Sequence, residues 1–174
     1  MVTSFLRILL LICLLPLAPA AADAPTTADP AARTMSAAIN AVRLVERRPL
    51  LELNPKLTAA AVAHAEDMAE RGYFDHKDPD GRGLDYRLVK TGYPYALAME
   101  TIAAGERDPQ LVLAGWLESP EHKRSLLNQN VRDIGVAHIY YPSDPAIPRH
   151  RHYWVVVLGL AGETPQEEIA DAER

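Results

Sequence analysis

Apolar positions in this chain crowd at the start, then fall into helical spacing, and run as strands near the end. Ile8-Leu9-Leu10-Leu11-Ile12-Cys13-Leu14-Leu15-Pro16-Leu17 follows Arg7 and gives way to Ala18-Pro19-Ala20-Ala21-Ala22. A short basic start, a greasy run and a small-residue exit form the pattern of a secretory signal peptide, with cleavage expected after Ala20 or Ala22. The run is shorter than the about 20 apolar residues of a permanent span. A secreted or periplasmic protein with no permanent membrane span is therefore expected, with residues 1–22 removed. Asp23 to Arg33 is Ala/Thr/Pro-rich without periodicity and reads as a flexible leader.

From Thr34 the spacing turns helical, with Met35, Ile39, Val42 and Val45 on one face and Pro49 as the stop. Asn54-Pro55 supplies a cap and a first-turn proline for a helix whose stripe is Leu57, Ala61, His64 and Met68, ended by Gly72. Tyr73 to Gly83 is a loop, Leu84 to Lys90 a short helix, and Glu100-Thr101-Ile102-Ala103 extended. Asp108-Pro109 opens a helix through Leu111, Val112 and Trp116, and Ser119-Pro120 opens another to about Leu127. Ile134 to Tyr141 and Tyr153 to Leu160 read as strands, and residues 163–174 as a charged tail. Helices first and strands late predict an α+β domain with helices on a small, mainly antiparallel sheet.

Composition narrows the function classes. The 174 residues carry 18 basic and 23 acidic side chains, a net charge of -5, without the basic stripe of a nucleic-acid binder. The single cysteine, Cys13, excludes an internal disulfide framework and multi-cysteine metal sites. Loss of residues 1–22 removes that cysteine together with Arg7, leaving a cysteine-free and slightly more acidic domain held by its core.

Three stretches set ionisable residues on capped helices or loops: Gly72-Tyr73-Phe74-Asp75-His76, Glu100-Thr101-Ile102-Ala103, and Trp116-Leu117-Glu118-Ser119-Pro120-Glu121-His122. In order and spacing they resemble the CAP superfamily, which includes cysteine-rich secretory proteins, antigen 5 and plant pathogenesis-related 1 proteins. The short bacterial form, the SCP domain, is the nearest pattern. The resemblance runs from Ser36 to Gly162 and takes in Arg87…Gly92-Tyr93, Ile134-Gly135-Val136-Ala137 and Tyr153-Trp154. Residues 34–162 are accordingly expected to be the domain. It implies an α-β-α sandwich with helices on both sides of the sheet. It also implies a cleft of two histidines and one or two glutamates, which in several members binds zinc or another divalent cation.

On this chain the implied ligands fall on His76, Glu100 and His122. Neutral imidazoles bind such metals at about 2.0–2.1 Å, and a carboxylate either ligates or orients a ring N–H. Ser119 stands where the eukaryotic pattern has its second glutamate, Glu118 is one residue early, and Met99-Glu100-Thr101 replaces Gly-Glu-Asn. His122 is expected in a first helical turn, where the helix dipole disfavours a cation. A hydrogen bond from His122 to Glu100 is its structural alternative. Glu100 among apolar neighbours needs partners if buried, and the two histidines are the candidates.

Other ionisable residues read as structural. His64 on its apolar stripe is expected to be a core histidine, and His150 and His152 beside Arg149 and Arg151 a solvated basic rim. Asp75, Asp78 and Asp80 do not complete a calcium loop. The resemblance implies a non-catalytic module that binds a lipid, sterol-like or cell-envelope ligand at the His76, Glu100, Ser119 and His122 cleft. The alternative is a peptidase-like hydrolase, metal-dependent or serine-type, working through Glu100, Ser119 and His122. Neither Gly-x-Ser-x-Gly nor His-Glu-x-x-His is present.

Overall fold

Prolines fix where most of the helices begin, because a first-turn proline surrenders no intrahelical hydrogen bond. Pro30 opens α1 (Pro30–Val45), Pro55 opens α2 (Pro55–Arg71), Pro109 opens α4 (Pro109–Glu118) and Pro120 opens α5 (Pro120–Leu126). The remaining helix, α3 (Leu84–Thr91), ends like α2 on a glycine in the left-handed conformation, Gly92 and Gly72 respectively. The computed structural model describes residues 29–142 and 150–162. The signal segment, the leader as far as residue 28 and the charged tail lie outside the described residues.

Helix α1 starts earlier than the spacing suggests. Pro30 to Arg33, read as leader, are helical, and Ala32 is buried. Val45 does not face the core and is 81 % exposed, while Arg43 takes the buried position one turn after Ile39. A helical face drifts with length, so the stripe through Met35 and Ile39 continues to residue 43 rather than 45.

Four strands form one sheet: β1 (Glu52–Leu53), β2 (Tyr95–Ala104), β3 (Asp133–Tyr140) and β4 (His152–Ala161), in the order β1-β3-β4-β2. The β2–β4 and β3–β4 pairs are antiparallel, and the two-residue β1, too short for any sequence pattern, runs parallel to β3. Alternation along β4 divides the core. Trp154, Val156 and Leu158 pack with α1, α4 and α5, while Tyr153, Val155 and Val157 pack with α2 and α3. The result is an α+β fold with helical layers on both faces of the sheet.

Close packing of α2 on β3 depends on Gly135. A Cβ there would strike the backbone of Leu57 and Thr58 in the first turn of α2. Asn54 fixes that turn by accepting from Lys56 N at 3.0 Å and Leu57 N at 3.4 Å. The anchoring places His64, two turns further on, against the sheet.

Candidate functional site

Glu100 pairs with Val157 across the β2–β4 ladder, so its side chain shares the α2–α3 face of the sheet. It is only 3 % exposed, and a buried carboxylate needs compensation. Arg87 of α3 provides it, with Nη2 at 2.9 Å from Oε2 and 3.1 Å from Oε1. The same Nη2 donates to the His76 carbonyl at 3.1 Å and so ties the 73–83 loop to the pair. His76 Nδ1 lies 2.9 Å from Glu100 Oε1, and its side chain remains 54 % exposed. With Nδ1 committed to the carboxylate, Nε2 is the nitrogen left to meet a ligand.

His64 closes the group from below. It is a core histidine, as expected, yet it faces the carboxylate: its Nε2 is 3.6 Å from Glu100 Oε1, beyond hydrogen-bond reach. Its Nδ1 meets Tyr73 Oη at 3.4 Å, and Tyr73 itself donates to Asp67 Oδ2 at 2.5 Å. Burial lowers the His64 pKa, and burial together with the bond to Asp67 pushes Tyr73 up. His76 is shifted the other way, raised chiefly by its hydrogen bond to Glu100.

These opposite shifts give a pH prediction. The stability His76 adds is complete below its unfolded pKa of about 6.5 and is lost as pH rises through its raised folded value. The contribution of neutral His64 is complete above about 6.5 and is lost as pH falls toward its lowered folded value. Removing His76 leaves the second effect unopposed. The melting temperature of His76→Ala should therefore fall more steeply than wild type between about pH 7 and 5. Parallel curves in thermal melts would show that the Glu100 bond does not bias His76.

His122 and Ser119 do not join this group. Among the described residues neither side chain makes a hydrogen bond or ion pair, and Glu100 bonds to Arg87 and His76 instead of His122. Leu126 of α5 packs in the layer of α1 and α4, whereas Glu100 lies on the α2–α3 face of the sheet. Ser119 occupies the N-cap position without donating or accepting a side-chain cap bond. The pairing a serine nucleophile needs with His122 is not assembled.

A zinc centre built on His76, Glu100 and His122 does not fit these donors. Both Glu100 oxygens face Arg87, and Oε1 also takes the His76 Nδ1 contact. No group of three His, Cys, Asp or Glu side chains in metal-holding geometry occurs among the described residues. In the acidic loop, Asp78 and Asp80 are likewise paired, with Arg82 of the loop and with Arg71 at the end of α2.

His152 departs from the solvated rim expected of it. It bonds to His138 across the β3–β4 hairpin at 3.0 Å, and His138 in turn bonds to Asp29 at 2.9 Å. Sequence reading missed Arg87 and His64 as partners of Glu100. The signal was present: a glutamate in an apolar strand demands a cation, and His64 sat on the stripe facing that strand.

The family model for CAP, the cysteine-rich secretory protein family, matches residues 37–158. YkwD of Bacillus subtilis, described as uncharacterized, is 32% identical over 130 residues, covering 70% of this chain and 50% of that protein. The chain thus spans half the length of that relative. An extracellular protein containing a SCP domain from Bacillus anthracis superposes with a TM-score of 0.64 at 27% identity, over 73% of this chain and 39% of the other. An outer surface protein from Borrelia burgdorferi shares the fold with a TM-score of 0.67 at 23% identity, over 75% and 92% of the two chains.

Proposed function

Because this chain belongs to the cysteine-rich secretory protein family, CAP, we propose that it is an exported, non-catalytic module that binds a lipid or cell-envelope ligand at the His76 rim of the Glu100 group. The observation that carries this reading is the engagement of Glu100. A general base needs a carboxylate free to take a proton, and here Arg87 holds both oxygens while His76 Nδ1 takes one. What the group offers outward is an oriented imidazole, a recognition element rather than a catalytic set. Export is supported by the signal-like residues 1–22 and by the extracellular description of the Bacillus anthracis relative.

Two probes test the reading: a fluorescent palmitate analogue and purified cell-wall sacculi. A binding module captures at least one of them. His76→Ala weakens capture about tenfold, while His122→Ala stays within about threefold. Casein and p-nitrophenyl esters stay intact throughout. Turnover of either substrate that both histidine variants abolish would make the protein a hydrolase. Failure to capture either probe would remove the binding reading.

A further inference from the structure

On the opposite layer from Glu100, a set of cations gathers without a carboxylate bonded to any of them. Arg43, Arg48, Lys123, Arg124 and Arg132 make no ion pair among the described residues, although the chain as a whole is acidic at -5. Arg43 is completely buried at 0 %. Its Nε donates to the Pro49 carbonyl at 2.8 Å, and its Nη1 to those of Leu126 at 2.6 Å and Asn128 at 3.1 Å. Carbonyl dipoles solvate this charge but do not cancel it. Among the described residues its Nη2 has no partner, and the Nε of Arg48 is also buried without one.

The cations act on one another. Burial lowers the Arg43 pKa first, and repulsion from Arg132 and Arg48 lowers it further. Arg132 directs its Nη1 to the carbonyls of Gln129 and Val131, and Arg48 reaches Gln129 Oε1 at 3.4 Å. Glu46 and Glu121 are close in sequence and exposed, yet they bond to none of the five. Positive potential at this place is therefore uncompensated within the described residues.

An open cavity of about 640 Å³ lies over the cluster, lined by Arg48, Lys123 and Arg124 together with Asn128, Gln129 and Asn130. We propose that this cavity binds a phosphate group, clamped by Arg48, Lys123 and Arg124. A guanidinium fork matches phosphate oxygens, an ammonium adds a compact charge, and side-chain amides supply further donors. Neutralising the cluster would relieve the repulsion that Arg43 now bears. The site shares no residue with the Glu100 group, so it stands or falls separately from the function proposed above. The phosphate can be free or carried as the headgroup of an anionic lipid. Exposed Leu44 and Val45, just before Arg47 and Arg48, make the second source worth a separate arm.

The test uses the full chain with two probes: inorganic phosphate in calorimetry, and flotation with phosphatidylglycerol vesicles against phosphatidylcholine vesicles. Lys123 and Arg124 are exposed, so Lys123→Gln/Arg124→Gln leaves the fold intact and should weaken phosphate or phosphatidylglycerol binding about tenfold or more. Arg33→Gln/Lys90→Gln removes the same charge from exposed positions elsewhere and should change it by less than about threefold. Arg48→Gln, with its melting temperature checked, reports on the third member of the clamp. Binding of both probes identifies phosphate itself, and binding of phosphatidylglycerol alone identifies a headgroup. Equal losses in the two double variants would mean diffuse charge attraction and overturn the site. So would absence of binding to both probes by the wild-type chain.

Discussion

Gly135→Ala should cost the protein about 3 kcal/mol or more, a large part of the about 5–15 kcal/mol that keeps an ordinary domain folded. The added methyl would meet main-chain atoms of Leu57 and Thr58, which cannot rotate away as a side-chain tip can. Either α2 lifts from β3 or the strand bends, and both open the layer that contains Leu57, Ala61, Ala65 and Met68. Gly115→Ala is the matched control. No heavy atom lies within 4 Å of its would-be methyl, and alanine is favoured over glycine inside a helix by up to about 1 kcal/mol. Urea titrations of the two variants decide the matter. A Gly135→Ala midpoint equal to wild type would mean that α2 does not rest on the strand as closely as described. The consequence reaches the site, because α2 also delivers His64 to Glu100.

The second large effect concerns Glu100 itself. Glu100→Ala leaves Arg87, with a side chain 9 % exposed, as a buried cation without its counter-charge. Removing one partner of such a pair costs about 3–5 kcal/mol, far more than an exposed pair is worth. Replacing both charges with apolar side chains should recover most of that loss. Glu100→Leu/Arg87→Met is accordingly expected to melt well above Glu100→Ala, although His76 loses its anchor in both. The paired measurement separates a charge effect from a packing effect. If the double variant melts no higher than the single one, uncompensated charge is not what destabilises Glu100→Ala.

Much of this architecture was legible in the sequence, and the reasons differ by element. Asn54-Pro55, Asp108-Pro109 and Ser119-Pro120 signalled helix starts through local chemistry, and α2, α4 and α5 begin there. Strand β4 was recognisable as an apolar run because both of its faces are covered. Strand β1 was not, since two residues carry no period and its pairing with β3 is a tertiary event. The start of α1 was hidden by the composition of Pro30 to Arg33, whose burial of Ala32 follows only from packing.

The candidate site was legible in part. Glu100 and His76, which the family resemblance brings to one cleft, make a direct hydrogen bond. Arg87 entered the reading as part of a pattern, not as a partner, because nothing local to α3 reveals what its guanidinium reaches. The placement of His122 could not be derived from spacing along the chain. It depends on how α5 packs against the rest of the fold, where Leu126, four residues on, enters the layer of α1 and α4.

The division of β4 between two layers has a consequence for how the protein comes apart. Each layer is built on alternate residues of one continuous strand, Tyr153 to Leu158. Loosening either set of helices strips one side of that strand and weakens the ladder on which the other set rests. The two layers should therefore melt as a single cooperative unit, with the amides of β4 exchanging with solvent only when the whole domain opens.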